Sequence, residues 1–323
     1  MAKSSLARTD NATNSVIGRF APSPTGLLHL GSLLTAVTSF CIAKQQHGQW
    51  LVRMEDVDSE RCQSHFADAI LADLERLGLY WDGAVRYQSQ HLEHYHHVLD
   101  TELLHVSYGC GCSRKSLQTY WQSHPHANSQ TNLPYPQLCY TNQLPRTHAV
   151  RLIMPNQQML FYDTLQGVIT GNPQQQQGDI VVRRQATAQL PQGMINYMLA
   201  VVLDDAIQGV TQIVRGLDIL PLTLPQLAIM DYLALPYPTS YYHLPILLNA
   251  DGQKLSKQTL AEPISQYSPQ VLLTLVLKLL GQPPVATDYP QVMLQQAISQ
   301  WDNRPLIGCK TIEVQGIGEM LKG

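Results

Sequence analysis

Residues 19–32 read RFAPSPTGLLHLGS, and this stretch decides the fold that the sequence predicts. The mostly apolar residues 16–20 predict a short buried strand, and the prolines and Gly26 that follow predict a turn. From Leu27 to Ala43, apolar residues recur at helical spacing. A helix N-terminus after such a loop is a ready anion site, because its free N–H groups and its dipole point outward. The stretch therefore predicts a strand, an anion-binding loop and a helix.

The alternation of strand and helix continues beyond this stretch. Residues 49–54 (QWLVRM) predict a second strand, and residues 65–77 predict an amphipathic helix. Alternating elements imply a parallel sheet with crossover helices, so the predicted fold class is α/β. Residues 172–178, with four consecutive glutamines, predict a loop. The remaining predicted strands span residues 149–153, 160–169, 197–203, 212–215 and 243–248. The remaining predicted helices span residues 91–104, 224–233 and 268–281.

The composition excludes several classes of protein. The chain has 323 residues, of which 44% are hydrophobic, so it can bury a sizeable core. Its formal net charge of −3 means that any nucleic acid must contact a local basic patch. No apolar run reaches the roughly 18 residues of a membrane span, and residues 1–15 lack the apolar region of a secretory signal. We therefore expect residues 1–15 to form a disordered tail and the protein to be cytoplasmic, without membrane partners.

Two short motifs carry residues that suit phosphate chemistry. His29 can donate a hydrogen bond to a phosphate, and Gly31 would let a flat ring approach the backbone. Lys254 and Lys257, in a polar turn after an apolar strand, suit the stabilisation of charge that develops in a transition state. Each motif alone has a simpler explanation, namely a helix cap with a surface histidine and a solvated pair of lysines.

Together the two motifs resemble the signature regions of class I aminoacyl-tRNA synthetases of the glutamyl type. Residues 19–32 resemble the "HIGH" region, and residues 254–257 (KLSK) resemble the "KMSKS" region, with a departure at Gln258. The resemblance covers roughly residues 16–260 and implies a Rossmann-type catalytic core that uses ATP as a substrate, with Mg²⁺. Further matching stretches are residues 51–58, 197–205 and 213–218.

The resemblance also implies an L-glutamate site. Arg19 could form a two-pronged pair with a substrate carboxylate, and Glu55 could take the substrate ammonium. We expect four residues of the implied site to lie at the carboxyl ends of strands, where open α/β sheets bind ligands. These four are Arg19, Glu55, Tyr197 and Arg215. Surface salt bridges and a core tyrosine are the competing interpretations. The implied glutamate-binding residues are Arg19, Phe20, Ala21, Pro22, Ser23, Glu55, Tyr197 and Arg215. The implied ATP-binding residues are His29, Gly31, Ser32 and Lys257, and the implied catalytic residues are His29, Lys254 and Lys257.

A cysteine cluster in a polar segment predicts a zinc site. The clustered cysteines are Cys110, Cys112 and Cys139. Because the segment lacks an apolar core, one zinc ion with a structural role could fold it. The chemistry alone favours His124 or His126 as the fourth ligand, whereas the resemblance points to Tyr135. Three reduced cysteines without a metal ion are the alternative.

The cysteine set and the short C-terminal region narrow the resemblance. Only 65 residues follow Gln258, and we expect no anticodon-binding domain there. The short C-terminal region and the Cys/Cys/Tyr/Cys set together resemble those of the family of glutamyl-queuosine tRNA(Asp) synthetases. That family implies tRNA-independent, ATP-dependent activation of L-glutamate and its transfer to the queuosine cyclopentenediol at the wobble base of tRNA(Asp). The implied partner is the anticodon stem-loop, and we expect a monomer.

Two alternatives remain at this point. One is a truncated glutamyl-tRNA synthetase that charges the tRNA 3′ end, and the other is a non-catalytic paralogue that binds RNA or a regulatory ligand. Residues 183–197 also look longer than the compact turn typical of the family, which affects the expected pocket wall next to Tyr197. The predicted units are a tail (1–15), the first half of the Rossmann core (16–108), an insertion with the zinc site (109–196), the second half of the core (197–258) and a short helical C-terminal domain (259–323).

Overall fold

The computed structural model describes residues 15–124, 133–249, 251–255 and 263–314. The first half of the chain contains β1 (Ile17–Phe20), α1 (Leu30–Gln45), β2 (Gln49–Met54), α2 (Ser64–Arg76), β3 (Arg86–Tyr87), α3 (Leu92–Asp100), β4 (Ser107–Cys110), α4 (Arg114–Gln122), β5 (Ala149–Leu152) and β6 (Met159–Asp163). The second half contains β7 (Gly167–Gly171), α5 (Pro173–Gln176), β8 (Ile180–Arg183), α6 (Tyr197–Ile207), β9 (Gln212–Gly216), α7 (Thr223–Tyr232), β10 (Ser240–Leu244), β11 (Ile246–Leu248), α8 (Pro269–Leu279), α9 (Pro290–Gln300) and β12 (Thr311–Glu313).

Five parallel strands form the central sheet in the order β10, β9, β1, β2, β3. β1 lies in the middle and pairs with β2 on one side and β9 on the other. The chain runs outward from β1 through β2 to β3 and later returns to the opposite side of β1 through β9. The reversal at β1 is a topological switch point, where open α/β sheets bind ligands. The predicted α/β class with a parallel sheet is confirmed.

Helix α1 packs against this sheet because it is apolar almost all round. Eleven of its 16 residues are buried. The aromatic ring of Phe40 meets the fully buried Trp50 edge-on at 5.1 Å, and the Trp50 indole N–H donates to Oγ of Ser39 at 2.9 Å. Burying each large apolar side chain contributes about 1.5–3 kcal/mol, so this contact fixes the helix that begins in the predicted anion loop.

The segment between α3 and α6 leaves the parallel sheet and forms antiparallel structure. Strands β4, β5 and β8 make one sheet, and β6 and β7 make a hairpin. The prediction of a single strand at 160–169 was wrong, because a turn at 164–166 and Gly167, with φ of 78°, divide it. Residues 172–178, predicted as a loop, contain the short helix α5, whose N-terminus Asn172 caps.

The prediction of a strand at 197–203 was also wrong, because these residues begin helix α6. A continuous apolar run does not distinguish a buried strand from a buried helix by its periodicity. Here eight of eleven residues are buried, so the run serves a helix covered on several sides. Asn196 caps this helix, since its side-chain oxygen accepts from the backbone N–H of Met198 at 3.2 Å. That capping residue was a signal that the sequence contained.

The C-terminal part supports the central sheet. Helices α8 and α9 share one buried apolar cluster with α1 and β2. The sequence had only weak signals after residue 281, yet α9 and β12 form there, and β12 pairs in parallel with β11. The predicted domain limits stay predictions. No helix in the described part of the chain combines the length and the apolar character that crossing a membrane requires.

Candidate active site

A cleft of about 780 Å³ opens at the carboxyl end of the central sheet. It brings together every predicted glutamate-binding residue and the described part of the predicted ATP site. These lining residues are Arg19, Phe20, Ala21, Pro22, Ser23, His29, Gly31, Ser32, Glu55, Tyr197, Arg215 and Lys254. Lys257 and Gln258 lie outside the described residues. Residues that are far apart in the sequence therefore line one cleft.

The N-terminus of α1 forms one wall of the cleft. Nδ1 of His29 accepts from the backbone N–H of Ser32 at 3.3 Å, and Nε2 lies 3.1 Å from the Ser32 hydroxyl. A Cβ at Gly31 would lie only 3.1 Å from Cε1 of the same ring. His29 is thus the helix cap that the simpler interpretation described, and it also lines the cleft. A side chain at Gly31, the second residue of α1, would therefore crowd the imidazole.

Arg19 is buried in an ion-pair network that crosses the sheet. Its Nε donates to Oδ1 of Asp205 at 3.2 Å, and its Nη1 donates to the carbonyl of Val214 at 3.3 Å. Arg53 shares the same carboxylate, with Nη2 at 2.8 Å from Oδ1 of Asp205 and 3.4 Å from Oε1 of Glu55. Burial alone would raise the pKa of Asp205, but the two guanidinium groups bring it below its usual value. Asp205 therefore stays ionised and holds both arginines.

Glu55 directly follows strand β2 and faces the same network. Burial raises the pKa of Glu55 to about 7, although Arg53 and Arg19 act in the opposite direction. The carboxyl is 7% exposed and lines the cleft. Burial disfavours the charged carboxylate, because it removes the solvation by water. A cation that enters here would favour the carboxylate over the neutral acid, because the opposite charges attract each other. The site is therefore suited to a substrate ammonium group.

The neighbouring carboxylate, Asp204, faces away from the cleft and is fully bonded. It accepts from the Tyr95 hydroxyl at 2.8 Å, from Nε2 of Gln88 at 2.9 Å and from Nε of Arg86 at 2.8 Å. It is completely buried, and burying a polar group costs free energy unless the group is hydrogen-bonded. Nε of Arg53 also lies 3.9 Å from Oδ2 of Asp204, so the two consecutive acids of α6 share Arg53 and otherwise have different partners.

Arg215, in β9, is held entirely by neutral acceptors. Its Nε donates to Nε2 of His243 at 3.0 Å, its Nη1 to Oε1 of Gln226 at 2.7 Å and its Nη2 to the hydroxyl of Thr223 at 2.7 Å. Within the described part of the chain, no carboxylate oxygen lies within 4.0 Å of this guanidinium group. Arg215 is 4% exposed and lines the cleft, so its positive charge is available to an anionic ligand.

Tyr197 and Lys254 complete the described cleft. Tyr197 is the first residue of helix α6, so the expectation that it lies at the carboxyl end of a strand was wrong. Burial, with the nearby Glu55, raises its pKa. Nζ of Lys254 lies 2.5 Å from Oδ2 of Asp218 in a half-exposed ion pair. The residues that line the cleft include none of 184–196, so the described loop does not form the pocket wall that its length suggested.

The sequence interpretation missed the residues that hold the two arginines. Asp205 closely follows the apolar run 198–203 of α6, His243 lies next to Leu244 in β10, and both are almost fully buried. A charged or titratable residue next to an apolar run was the available signal, because such a residue is seldom buried without a partner. The partners themselves come from elements far apart in the sequence, so spacing did not reveal them.

The three clustered cysteines lie close together in the antiparallel part of the chain and form a possible set of metal ligands. The sulfur atoms of Cys110, Cys112 and Cys139 all lie within 4.8 Å of one another. The Tyr135 hydroxyl lies 3.3 Å from Sγ of Cys110 and 3.6 Å from Sγ of Cys112. Hydrogen bonds from Tyr135 and Arg151 lower the pKa of Cys110 against the effect of burial, while burial raises the pKa of Cys112 to about 11. Three sulfurs and one oxygen can hold a metal ion.

The structure places the competing fourth ligands differently. The guanidinium carbon of Arg151 lies 3.5 Å from the centre of the Tyr135 ring, which holds this ring next to the thiols. His124 is exposed, and its Nδ1 lies 2.7 Å from the carbonyl of Tyr120. It does not join the described cluster, and His126 lies outside the described residues. The geometry therefore favours Tyr135 over His124.

The fold and the cleft define a class I tRNA synthetase catalytic domain. The family model described as tRNA synthetases class I (E and Q), catalytic domain, matches residues 15–288. The relative from Acinetobacter baylyi named glutamyl-Q tRNA(Asp) synthetase is 40% identical over 288 residues, covering 88% of this chain and 92% of the relative. The chain belongs to the family of glutamyl-Q tRNA(Asp) synthetases and is an enzyme of the ligase type. The resemblance stated from the sequence is confirmed.

Further relatives and a solved structure agree. The glutamyl-Q tRNA(Asp) synthetase of Serratia proteamaculans is 43% identical over 271 residues, covering 83% of each chain. That of Methylococcus capsulatus is 40% identical over 304 residues, covering 93% of this chain and 96% of the relative. A glutamate tRNA ligase from Elizabethkingia meningosepticum superposes with a TM-score of 0.76 at 22% identity, covering 95% of this chain and 68% of that one. This last likeness bears on the fold alone.

Proposed function

We propose that this enzyme activates L-glutamate with ATP, without tRNA, and transfers it to the cyclopentenediol of queuosine in the anticodon stem-loop of tRNA(Asp), acting as a monomer. The names of its relatives support the overall reaction. The observation that carries the substrate assignment is the joint presence of Arg19, Arg215 and Glu55 in one cleft. Two buried cations and one buried carboxyl complement an amino acid with two carboxylates and one ammonium group.

Each substrate group has a matching partner in the cleft. Arg215 carries a charge that no described carboxylate neutralises, so it binds the side-chain carboxylate of glutamate. Glu55 takes the ammonium group, and Arg19, still partly available beside Asp205, contributes a second cation. Tyr197 lines the same cleft as Glu55 and supplies a hydroxyl there. Phe20, Ala21, Pro22 and Ser23 complete the glutamate site.

Activation is a substitution at phosphorus. An oxygen of the α-carboxylate attacks the α-phosphorus of ATP, the bond to the bridging oxygen breaks, and pyrophosphate leaves with that electron pair. The products are glutamyl-adenylate and pyrophosphate, so no enzyme nucleophile is needed. We assign His29, Gly31 and Ser32, at the N-terminus of α1, to ATP binding, with Mg²⁺ on the phosphates. Lys254 and Lys257 stabilise the charge on the leaving group.

Transfer forms an ester on the modified base. A hydroxyl of the queuosine diol attacks the carbonyl carbon of the mixed anhydride, the acyl–phosphate bond breaks, and AMP leaves while the hydroxyl loses its proton. A cyclopentene diol resembles the ribose diol that synthetases of this class acylate. The same adenylate therefore serves a new nucleophile without a change in the activating cleft.

We assign the cysteine cluster to one zinc ion with a structural role. Cys110, Cys112, Cys139 and Tyr135 would hold it, and zinc would fold a segment that has only a small apolar cluster of its own. Tyr135→Phe should weaken zinc binding in a competition titration with a chromogenic chelator, whereas His124→Ala should not. The reverse result would return the fourth position to the histidine.

The deciding experiment is the transfer of labelled glutamate with ATP. Purified tRNA(Asp) with queuosine, tRNA(Asp) without it, and tRNA(Glu) are compared, each with a periodate-treated control that destroys the diols. Label on queuosine-containing tRNA(Asp) alone supports the proposal. Label on tRNA(Glu) regardless of queuosine would instead indicate charging of the 3′ end.

Lys257 has a test that does not involve tRNA. Lys257→Ala should lower ATP–pyrophosphate exchange roughly 100- to 1000-fold while glutamate binding persists, because the lysine acts on developing charge. The matched control is Lys278→Ala, since Lys278 is an exposed lysine at the end of α8. Unchanged exchange in the Lys257 variant would remove its assigned role.

A further inference from the structure

Asp163, His243 and Arg215 form a buried, hydrogen-bonded line, of which the proposed reaction uses only Arg215 directly. Asp163 and His243 are 0% exposed, and Arg215 is 4% exposed. Nδ1 of His243 lies 2.6 Å from Oδ2 of Asp163, and Nε2 of the same ring lies 3.0 Å from Nε of Arg215. The three residues come from β6, β10 and β9, so only the folded chain brings them together.

The chemistry of arginine fixes every proton in this line. A guanidinium group can only donate, so Nε2 of His243 must accept and carry no hydrogen. The proton of the neutral ring is then on Nδ1 and is donated to Asp163. Asp163 also accepts from the backbone N–H groups of Leu165 and Gln166, each at 2.9 Å, and of His243 at 3.2 Å. The carboxylate of Asp163 therefore accepts four hydrogen bonds, one of them from the His243 ring.

The charges in this line differ from those around Arg19. Burial and the nearby Arg215 keep the pKa of His243 below its usual value, against the effect of Asp163, so the ring is neutral near pH 7. The negative charge of Asp163 is separated from Arg215 by the width of an imidazole ring. Arg215 is thus positioned by a strong acceptor without a carboxylate at its own atoms.

We propose that His243 is a positioning residue for Arg215: Asp163 holds it in the Nδ1–H tautomer, and its Nε2 fixes the guanidinium group for the side-chain carboxylate of the substrate. The inference rests on the proposed role of Arg215 in glutamate binding. His243, Gln226 and Thr223 use one hydrogen on each arginine nitrogen. One N–H remains on each terminal nitrogen, and two such donors match the two oxygens of a carboxylate.

Two substitutions at the same position separate the two hydrogen bonds of the ring. The side-chain nitrogen of His243→Asn reaches the place of Nδ1 and keeps the bond to Asp163, but it leaves Arg215 without its acceptor. The side-chain oxygen of His243→Gln reaches the place of Nε2 and keeps that acceptor. Kinetics of ATP–pyrophosphate exchange are measured for both, with thermal unfolding of each variant as the measure of stability.

We expect the asparagine variant to raise KM for L-glutamate roughly 10- to 100-fold, because a hydrogen bond to a charged group is lost. Its KM for ATP should stay within about twofold, since this loss concerns glutamate binding only. The glutamine variant should recover most of the affinity for glutamate. Equal KM values in the two variants, or an unchanged KM in the asparagine variant, would overturn the proposal, because a merely structural residue gives no such split.

Two further measurements keep this inference distinct from the proposed function. If Arg215→Gln leaves the KM for L-glutamate unchanged, the role of Arg215 itself fails. If Arg215→Gln abolishes glutamate use while both His243 variants behave as wild type, only the positioning role fails. Nitrogen NMR of histidine-labelled wild-type protein needs neither substrate nor a stable variant, and it should show the His243 ring protonated at Nδ1 and not at Nε2. Protonation at Nε2 would overturn the proposal.

Discussion

Arg19 and Arg215 line the same cleft and are almost equally buried, at 3% and 4% exposure, yet their charges are held in opposite ways. Arg19 bonds directly to the carboxylate of Asp205, which Arg53 shares. Arg215 bonds to an imidazole, an amide and a hydroxyl. The first arrangement neutralises a buried cation within the protein, and the second leaves the cation for a ligand. The type of hydrogen-bond partner, and not the degree of burial, therefore sets how much of each arginine's charge is left for a ligand.

The largest expected effect breaks the first arrangement. Asp205→Ala would leave Arg19 and Arg53 buried without their shared anion, and breaking a buried pair in this way costs about 3–5 kcal/mol of unfolding free energy. Urea unfolding followed by circular dichroism measures it. The matched control is Asp218→Ala, whose half-exposed partner is Lys254, and it should cost less than about 1 kcal/mol. Equal losses in the two variants would remove the structural role of the Asp205 network.

The second prediction concerns Arg215. Arg215→Gln should raise KM for L-glutamate roughly 30-fold or more, because a buried charged partner of the substrate is removed. Its unfolding free energy should fall less than that of the Asp205 variant, since only neutral acceptors lose a donor. Arg215→Lys, which keeps the charge without the planar fork, should give an intermediate KM. A stability loss larger than that of Asp205→Ala would reverse the comparison.

A pH experiment tests the protonation of Glu55, which lines the same cleft as Arg19 and Arg215. Its pKa lies near 7 in the folded protein and at 4.5 for the unperturbed group, so its stabilising contribution is complete below pH 4.5 and is lost as the pH rises to about 7. A substrate ammonium favours the carboxylate, so glutamate binding at pH 6.5 should release about 0.8 proton, falling towards zero at pH 8.5. Titration calorimetry in buffers of different ionisation enthalpy measures this release. Glu55→Gln should abolish it, and persistence of the release in that variant would assign it elsewhere.

The smallest expected effect comes from the hydrogen bond between Thr223 and Arg215. Thr223→Val removes one neutral acceptor from Nη2 of Arg215 and should raise KM for L-glutamate by about three- to tenfold. Thr223→Ser keeps the hydroxyl and serves as the matched control. If both variants raise KM equally, the effect comes from packing of the methyl group and not from the hydrogen bond.

Much of the fold could be predicted because its decisive elements are local. The strand, loop and helix of residues 16–43 and the strand at 49–54 follow from apolar spacing and turn residues, and the structure contains all of them. Helix α6 could not be assigned in this way, because its apolar run fits a buried strand equally well. The hairpin of β6 and β7 was read as one strand because the turn at 164–166 is short. Local signals thus failed where burial on all sides or a tight turn hid the periodicity.

The side chains that could perform the chemistry were identifiable from the sequence alone. The residues of the two signature motifs, Glu55, Arg215 and the cysteine set could be named from their chemical types and from their resemblance to a known family. They were recognisable because motifs of this kind are short and contiguous.

How those side chains are held became visible only in the folded chain. Asp205 reaches Arg19 across 186 positions, and Asp163 reaches His243 across 80. Such pairs arise when strand order brings distant elements together, and sequence spacing carries no record of that order. The physical reason is that a buried charge must find its partners in three dimensions, so the distinction between Arg19 and Arg215 exists only in the folded chain.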